Sequence, residues 1–142
     1  MIVEVERQER YWYPDDGGEM WVAGFQLVGA DGRFLGRDEL PDGVKVTHVA
    51  GALHRPEALA SELATPGAVL VLRPEPDNPH DPSAIAVDLA DGTPAGYVPR
   101  EYTADVVGWS ALVLRERRRS PREPREGLTM LLTREPAELH VR

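Results

Sequence analysis

Short apolar runs, broken at close intervals by Gly, Pro, Asn and Asp, dominate the pattern along this chain, which is the punctuation of a β-rich protein. Met1 to Arg7 mixes apolar and acidic positions, and Ile2 to Val5 within it opens a strand that extends toward Tyr13. The cluster Pro14-Asp15-Asp16-Gly17-Gly18 predicts a turn, and Met20 to Val28 the next strand. Asp31-Gly32 predicts a two-residue hairpin turn with both residues at positive φ. Pro41-Asp42-Gly43 turns the chain into a strand from Val44 to Leu53, in which Val44, Val46 and His48 share a face.

Pro56 suits the first position of a helix, where its missing N–H is no loss. Leu59 and Leu63 follow on one side, and Thr65-Pro66-Gly67 stops the run. Ala68 to Leu72 is continuously apolar, as expected of a strand buried on both faces. Four prolines from Pro74 to Pro82 exclude a regular element there. Ala84 to Leu89 predicts a strand, Asp91-Gly92 a turn, and Ala95 to Val98 a short strand. Pro99 opens a second short helix through Val107. Ala111 to Leu114 pairs with Leu128 to Leu132 across a solvated tip from Arg115 to Glu126, and Leu139 to Arg142 closes the sheet. The expectation is a mainly β single domain over residues 1–142, with seven to nine short strands and two small helices.

Composition narrows the chemistry. At 142 residues the chain can bury a core without staples. It has no cysteine, which excludes a disulfide framework, a thiolate zinc site and a cysteine nucleophile. Residues 1–7 lack the basic start and long apolar run of a secretory signal, and no stretch is long enough to span a bilayer, so a cytoplasmic location without membrane partners is expected. The net charge of −8 is unevenly spread. Residues 97–142 carry nine arginines against seven carboxylates, whereas residues 1–96 carry seven basic groups against seventeen acidic ones.

Enzyme signatures are missing. Ser61, Ser83, Ser110 and Ser120 occupy no nucleophile elbow, and no glycine-rich phosphate loop is present. His48, His54, His80 and His140 show no paired ligand spacing. Asp77 to Asp81 is spaced like the start of a calcium loop, but Pro82 stands where that loop needs glycine. No catalytic residue, metal or cofactor is expected.

Three segments carry a family signature. They are Val49-Ala50-Gly51, the run from Leu70 to Val87 with Glu75-Pro76-Asp77-Asn78-Pro79-His80-Asp81 at its centre, and Gly96-Tyr97-Val98-Pro99-Arg100-Glu101. In this order and spacing they resemble the HIRAN domain, found fused to DNA-remodelling translocases and as stand-alone bacterial proteins. The resemblance covers about sixty residues, a core placed at 47–109 between unplaced N-terminal strands (1–46) and a C-terminal hairpin with an Arg/Pro-rich tip (110–142). It implies an OB-like or SH3-like small β-barrel whose role is to hold single-stranded DNA or its 3′ end, in the setting of DNA repair. Carried onto this chain, the polar loop groups are Asn78 and Asp81, and the aromatic position is His80. The family's arginine-aromatic pair falls on Leu53 and His54, with Arg55 next door. His80 replaces the tyrosine of end-binding members, and Leu53 cannot hold a phosphate.

The candidate contacts are therefore His54 and Arg55 at the first helix, Arg73, Asn78, His80 and Asp81 around the loop, and Tyr97 and Arg100 in the closing segment. Arg117, Arg118 and Arg119 in the arginine tip complete the set as a phosphate clamp. The expected function is a non-catalytic nucleic-acid-binding module. The alternative is a protein-interaction barrel that has lost the ligand, which the acidic first two-thirds, Leu53 and His80 favour.

Overall fold

A computed structural model describes residues 1–13 and 18–142; the turn expected at Pro14 to Gly18 falls, but for Gly18, outside the described residues. Among the described residues there are nine strands and one short α-helix. The strands are β1 (Ile2–Trp12), β2 (Met20–Leu27), β3 (Val44–His48), β4 (Val69–Pro74), β5 (Ile85–Leu89), β6 (Pro94–Tyr97), β7 (Ser110–Arg118), β8 (Arg125–Thr133) and β9 (Glu138–Val141); α1 is Pro56–Ala60.

The ring of the barrel can be followed strand by strand. β6 pairs with β5, β5 with β4, β4 with β7, β7 with β8 and β8 with β3. Past His48, the Val49 N–H donates to the Leu128 carbonyl (2.9 Å), and Ala50 exchanges both backbone hydrogen bonds with Tyr97 (2.8 and 2.9 Å). That bridge brings β6 back against the continuation of β3 and closes the ring. The interior is apolar: Val49, Val87, Leu89, Val113, Leu128, Met130 and Leu132 are almost fully buried, and Ala58 and Leu59 of α1 join them. Each such side chain stabilises the fold by about 1.5–3 kcal/mol relative to exposure. The fold is the expected mainly β, small-barrel architecture.

β7 also explains the first forty residues. Its first half gives one edge to β4 (Val69 opposite Leu112), and its second half gives the same edge to β2 (Gly24 opposite Arg115, Trp21 opposite Arg118). The register slips between Val113 and Arg115 at that handover, as at a β-bulge. β1 then pairs with β2, and β9 runs parallel to β1. This arm buries a second cluster, Val3, Val5, Phe25 and Leu27 against Leu112, Leu114, Leu131 and Val44. One side of the barrel wall is thereby covered.

Several expectations need correction. Asp31 does not take positive φ; only Gly32 does (82°), in a three-residue loop closed by Gly29 N–H to the Arg33 carbonyl (2.8 Å). The strand expected to reach Leu53 ends at His48, because Gly51 (φ 76°) turns the chain into a 3-10 turn at Ala52–His54. The helix from Pro56 stops at Ala60: Ser61 is extended and its hydroxyl accepts the Leu63 N–H (3.1 Å), which leaves Leu63 exposed. The helix expected after Pro99 is a single 3-10 turn, Arg100–Tyr102, where the Thr103 hydroxyl donates to the Arg100 carbonyl (3.1 Å) in competition with the backbone ladder. β4 is not buried on both faces; Val69 and Val71 are 62% and 46% exposed because no layer covers that side. Finally, the solvated tip is much shorter than expected, since β7 runs to Arg118 and β8 starts at Arg125.

Candidate nucleic-acid interface

The three signature segments converge on Tyr97. The first meets it through the Ala50 backbone bridge. The second meets it through Glu75, whose Oε1 accepts the Tyr97 hydroxyl (2.8 Å). The third contains it. Gly96 makes the convergence possible: its φ is 146°, and a side chain there would run into the Ala50 carbonyl and Val49. Only glycine tolerates both the conformation and the close backbone approach.

The 75–84 loop is tied to itself. The Glu75 N–H donates to the Ala84 carbonyl (2.9 Å), and the Asn78 N–H to the Glu75 carbonyl (3.0 Å). Asn78 Oδ1 accepts the N–H groups of His80 (2.9 Å) and Asp81 (3.0 Å), while its Nδ2 donates to Glu75 Oε1 (3.1 Å). Asn78 is thus consumed by the turn and acts as a positioning residue. Asp81 gives Oδ1 to the Ser83 N–H (2.9 Å), and its Oδ2 lies 3.6 Å from Arg100 Nε, whose side chain is 82% exposed. His80 projects an exposed ring with no hydrogen bond from the ring among the described residues. His54 and Arg55 stand exposed at the entry to α1.

Arg73 is already committed, to buried Asp88 (2.8 Å) and to Glu75 (3.0 Å). The Asp88 bond first, then the Asp88 charge, raises its pKa further above the ordinary guanidinium value. Glu75 is held below the ordinary carboxylate range by hydrogen bonds from Asn78 and Tyr97. Tyr97 is pushed up because it donates to that carboxylate. Glu75 and Asp88 were given no role from sequence. Glu75 lies in the signature, but its partner sits on another strand, and Asp88 reads as one polar position in an apolar run.

The arginine tip does not act as one surface. Arg118 donates to Glu116 (3.1 Å) and to the Glu123 carbonyl (2.9 Å), and Arg119 to Glu126 (2.8 Å). Arg117 leaves the tip altogether and lies along β7 over Gly127. The structure therefore brings together His54, Arg55, His80, Asp81, Tyr97 and Arg100 by their segments, and places Arg117, Arg118 and Arg119 elsewhere.

Residues 43–111 match the family model of the HIRAN domain. The match runs from the turn before β3 into the start of β7, and spans all three signature segments. No curated protein and no solved structure matches the chain.

Proposed function

From a chain that carries a HIRAN domain, a nucleic-acid-binding family, at residues 43–111, we propose that it binds the free 3′ end of single-stranded DNA and works by binding, without catalysis. The observation that carries this reading is the convergence of the three signature segments on Tyr97, which presents one exposed imidazole, two exposed arginines and one carboxylate oxygen on adjoining turns. The His80 ring offers a stacking face for the terminal base. Arg55 and Arg100 supply charge for the phosphates. Asp81 Oδ2 accepts a hydrogen bond from a free 3′ hydroxyl and repels a 3′ phosphate.

Fluorescence anisotropy with one oligonucleotide ending in a 3′ hydroxyl or a 3′ phosphate tests this. Tighter binding of the hydroxyl end is expected, and Asp81→Asn, which keeps the acceptor for Ser83, should abolish the preference. Equal binding of both ends by the wild-type protein would sink end recognition. Failure to bind either oligonucleotide at low salt would favour the barrel as a docking domain for another protein.

A further inference from the structure

Sheet register builds a second basic surface, mostly outside the matched segment. Val22 on β2 stands opposite both Arg10 on β1 and Arg117 on β7, so the two arginines share a face. One row along, Gly24 stands opposite Arg115, which faces Thr129 and, through it, His48 on β3. Arg37 joins them from the 3-10 turn between β2 and β3, and Trp12 from the end of β1. They line a groove of about 450 Å³ with no carboxylate among the described residues of its walls, in a chain with 24 acidic and 16 basic residues. The volume suits a small ligand or one strand segment.

Among the described residues of the groove walls, the arginines have no counter-charge. Among the described residues, the side chains of Arg10 and Arg37 make no ion pair or hydrogen bond. Arg117 Nε is buried with no hydrogen-bond partner among the described residues. Arg115 donates to the Phe25 carbonyl (2.8 Å), and burial first, then the charge of Arg10, lowers its pKa. Crowded like charges repel, and an incoming anion relieves the repulsion. Trp12, 46% exposed, adds an aromatic face at the rim. Guanidinium groups beside an exposed indole are the make-up of grooves that track a single strand.

We propose that this groove binds the sugar-phosphate backbone of a nucleic-acid strand, with phosphates on Arg10, Arg37 and Arg117 and a base stacked on Trp12. The site is separate from the loop at Tyr97 and stands whether or not that loop takes an end.

The probe is labelled oligothymidylate of about 12 nucleotides, a length one small barrel accommodates, blocked by a 3′ phosphate to mute the end site. Arg10→Ala/Arg37→Ala removes two exposed groove charges; Arg7→Ala/Arg33→Ala removes two others as a charge-matched control, and thermal melts check that both fold. The groove variant should bind about ten-fold more weakly, with a salt slope shallower by about 1.4, against little change in the control. Groove and control variants behaving alike would overturn the proposal. Trp12→Ala should weaken the oligonucleotide and leave sodium tripolyphosphate unaffected. Tight tripolyphosphate binding without oligonucleotide binding would make the groove a free-polyphosphate site and overturn the strand assignment. If the groove variant loses the blocked strand while both ends bind the wild type equally, the end-recognition reading falls and this one stands.

Discussion

Glu75 is the residue on which the signature loop depends, since Asn78 Nδ2, the Tyr97 hydroxyl and Arg73 all donate to it. The Asn78 bond first, then the Tyr97 bond, holds its pKa below the ordinary value. A carboxylate with a depressed folded pKa stabilises the fold above its unfolded pKa, and that stabilisation is lost as pH falls through the folded value. NMR of the Tyr97 ring and the Asn78 side-chain amide, followed from neutral pH downward, should therefore show a transition below that of an unstructured glutamate; a midpoint at or above it would mean the three bonds do not persist in solution. His80 makes a second residue-scale prediction. His80→Ala should weaken single-strand binding by about 1 kcal/mol and His80→Tyr should tighten it, because stacking scales with ring area; anisotropy with the same oligonucleotide reads both. The sequence made Asn78 and His80 visible, but not their different duties. Asn78 can serve a turn or a ligand from the same side-chain atoms, and only the fold shows those atoms spent on His80, Asp81 and Glu75.

At the scale of elements, the pairing of β7 with β8 was legible because strict apolar matching fixes it: Ala111, Leu112 and Val113 face Leu132, Leu131 and Met130. The arginine run was misread for a physical reason. A charge run predicts a solvated tip only if its members face solvent, and here Glu116 and Arg125 are largely buried. Arg125 reaches Glu116 across the hairpin, and its Nη1 also donates to the carbonyls of Leu59 (2.9 Å) and Ser61 (2.7 Å), locking β8 to the end of α1. Burial raises the Glu116 pKa, but hydrogen bonds from Arg125 and Arg118 outweigh it and leave the value lowered. Arg125→Ala should cost about 3 kcal/mol in urea denaturation, since it strands a largely buried carboxylate and two carbonyls; a loss no larger than that of Arg122→Ala would show the clamp to be ornamental. β4 failed similarly: a continuous apolar run carries no mark telling burial on two faces from burial on one.

The whole molecule is more than its matched segment. Residues 43–111 end inside β7 and omit β8, whose Leu128, Met130 and Leu132 are fully buried in the barrel interior. They also omit the arm of β1, β2 and β9 that covers Leu112, Leu114 and Leu131 on the outside of the wall. No periodicity in residues 1–42 announces that role, because an arm strand and a barrel strand alternate alike; which wall they cover follows only from the handover of β7 from β4 to β2. Two truncations separate the contributions. A 43–111 fragment loses a strand of the ring, so its interior has no closed wall and it should remain unfolded by circular dichroism and proteolysis. A 43–142 fragment keeps the ring but bares the outer apolar patch, so it should retain β structure while self-associating in sedimentation, as large exposed apolar surfaces do. It also lacks Arg10 and Trp12 while retaining His54, His80 and Tyr97. Solubilised by Leu112→Thr and Leu131→Thr, it should keep discrimination between 3′ ends and lose most binding to a blocked strand. A monomeric, fully stable 43–142 fragment would mean that the arm is an independent appendage and not part of the barrel's second core.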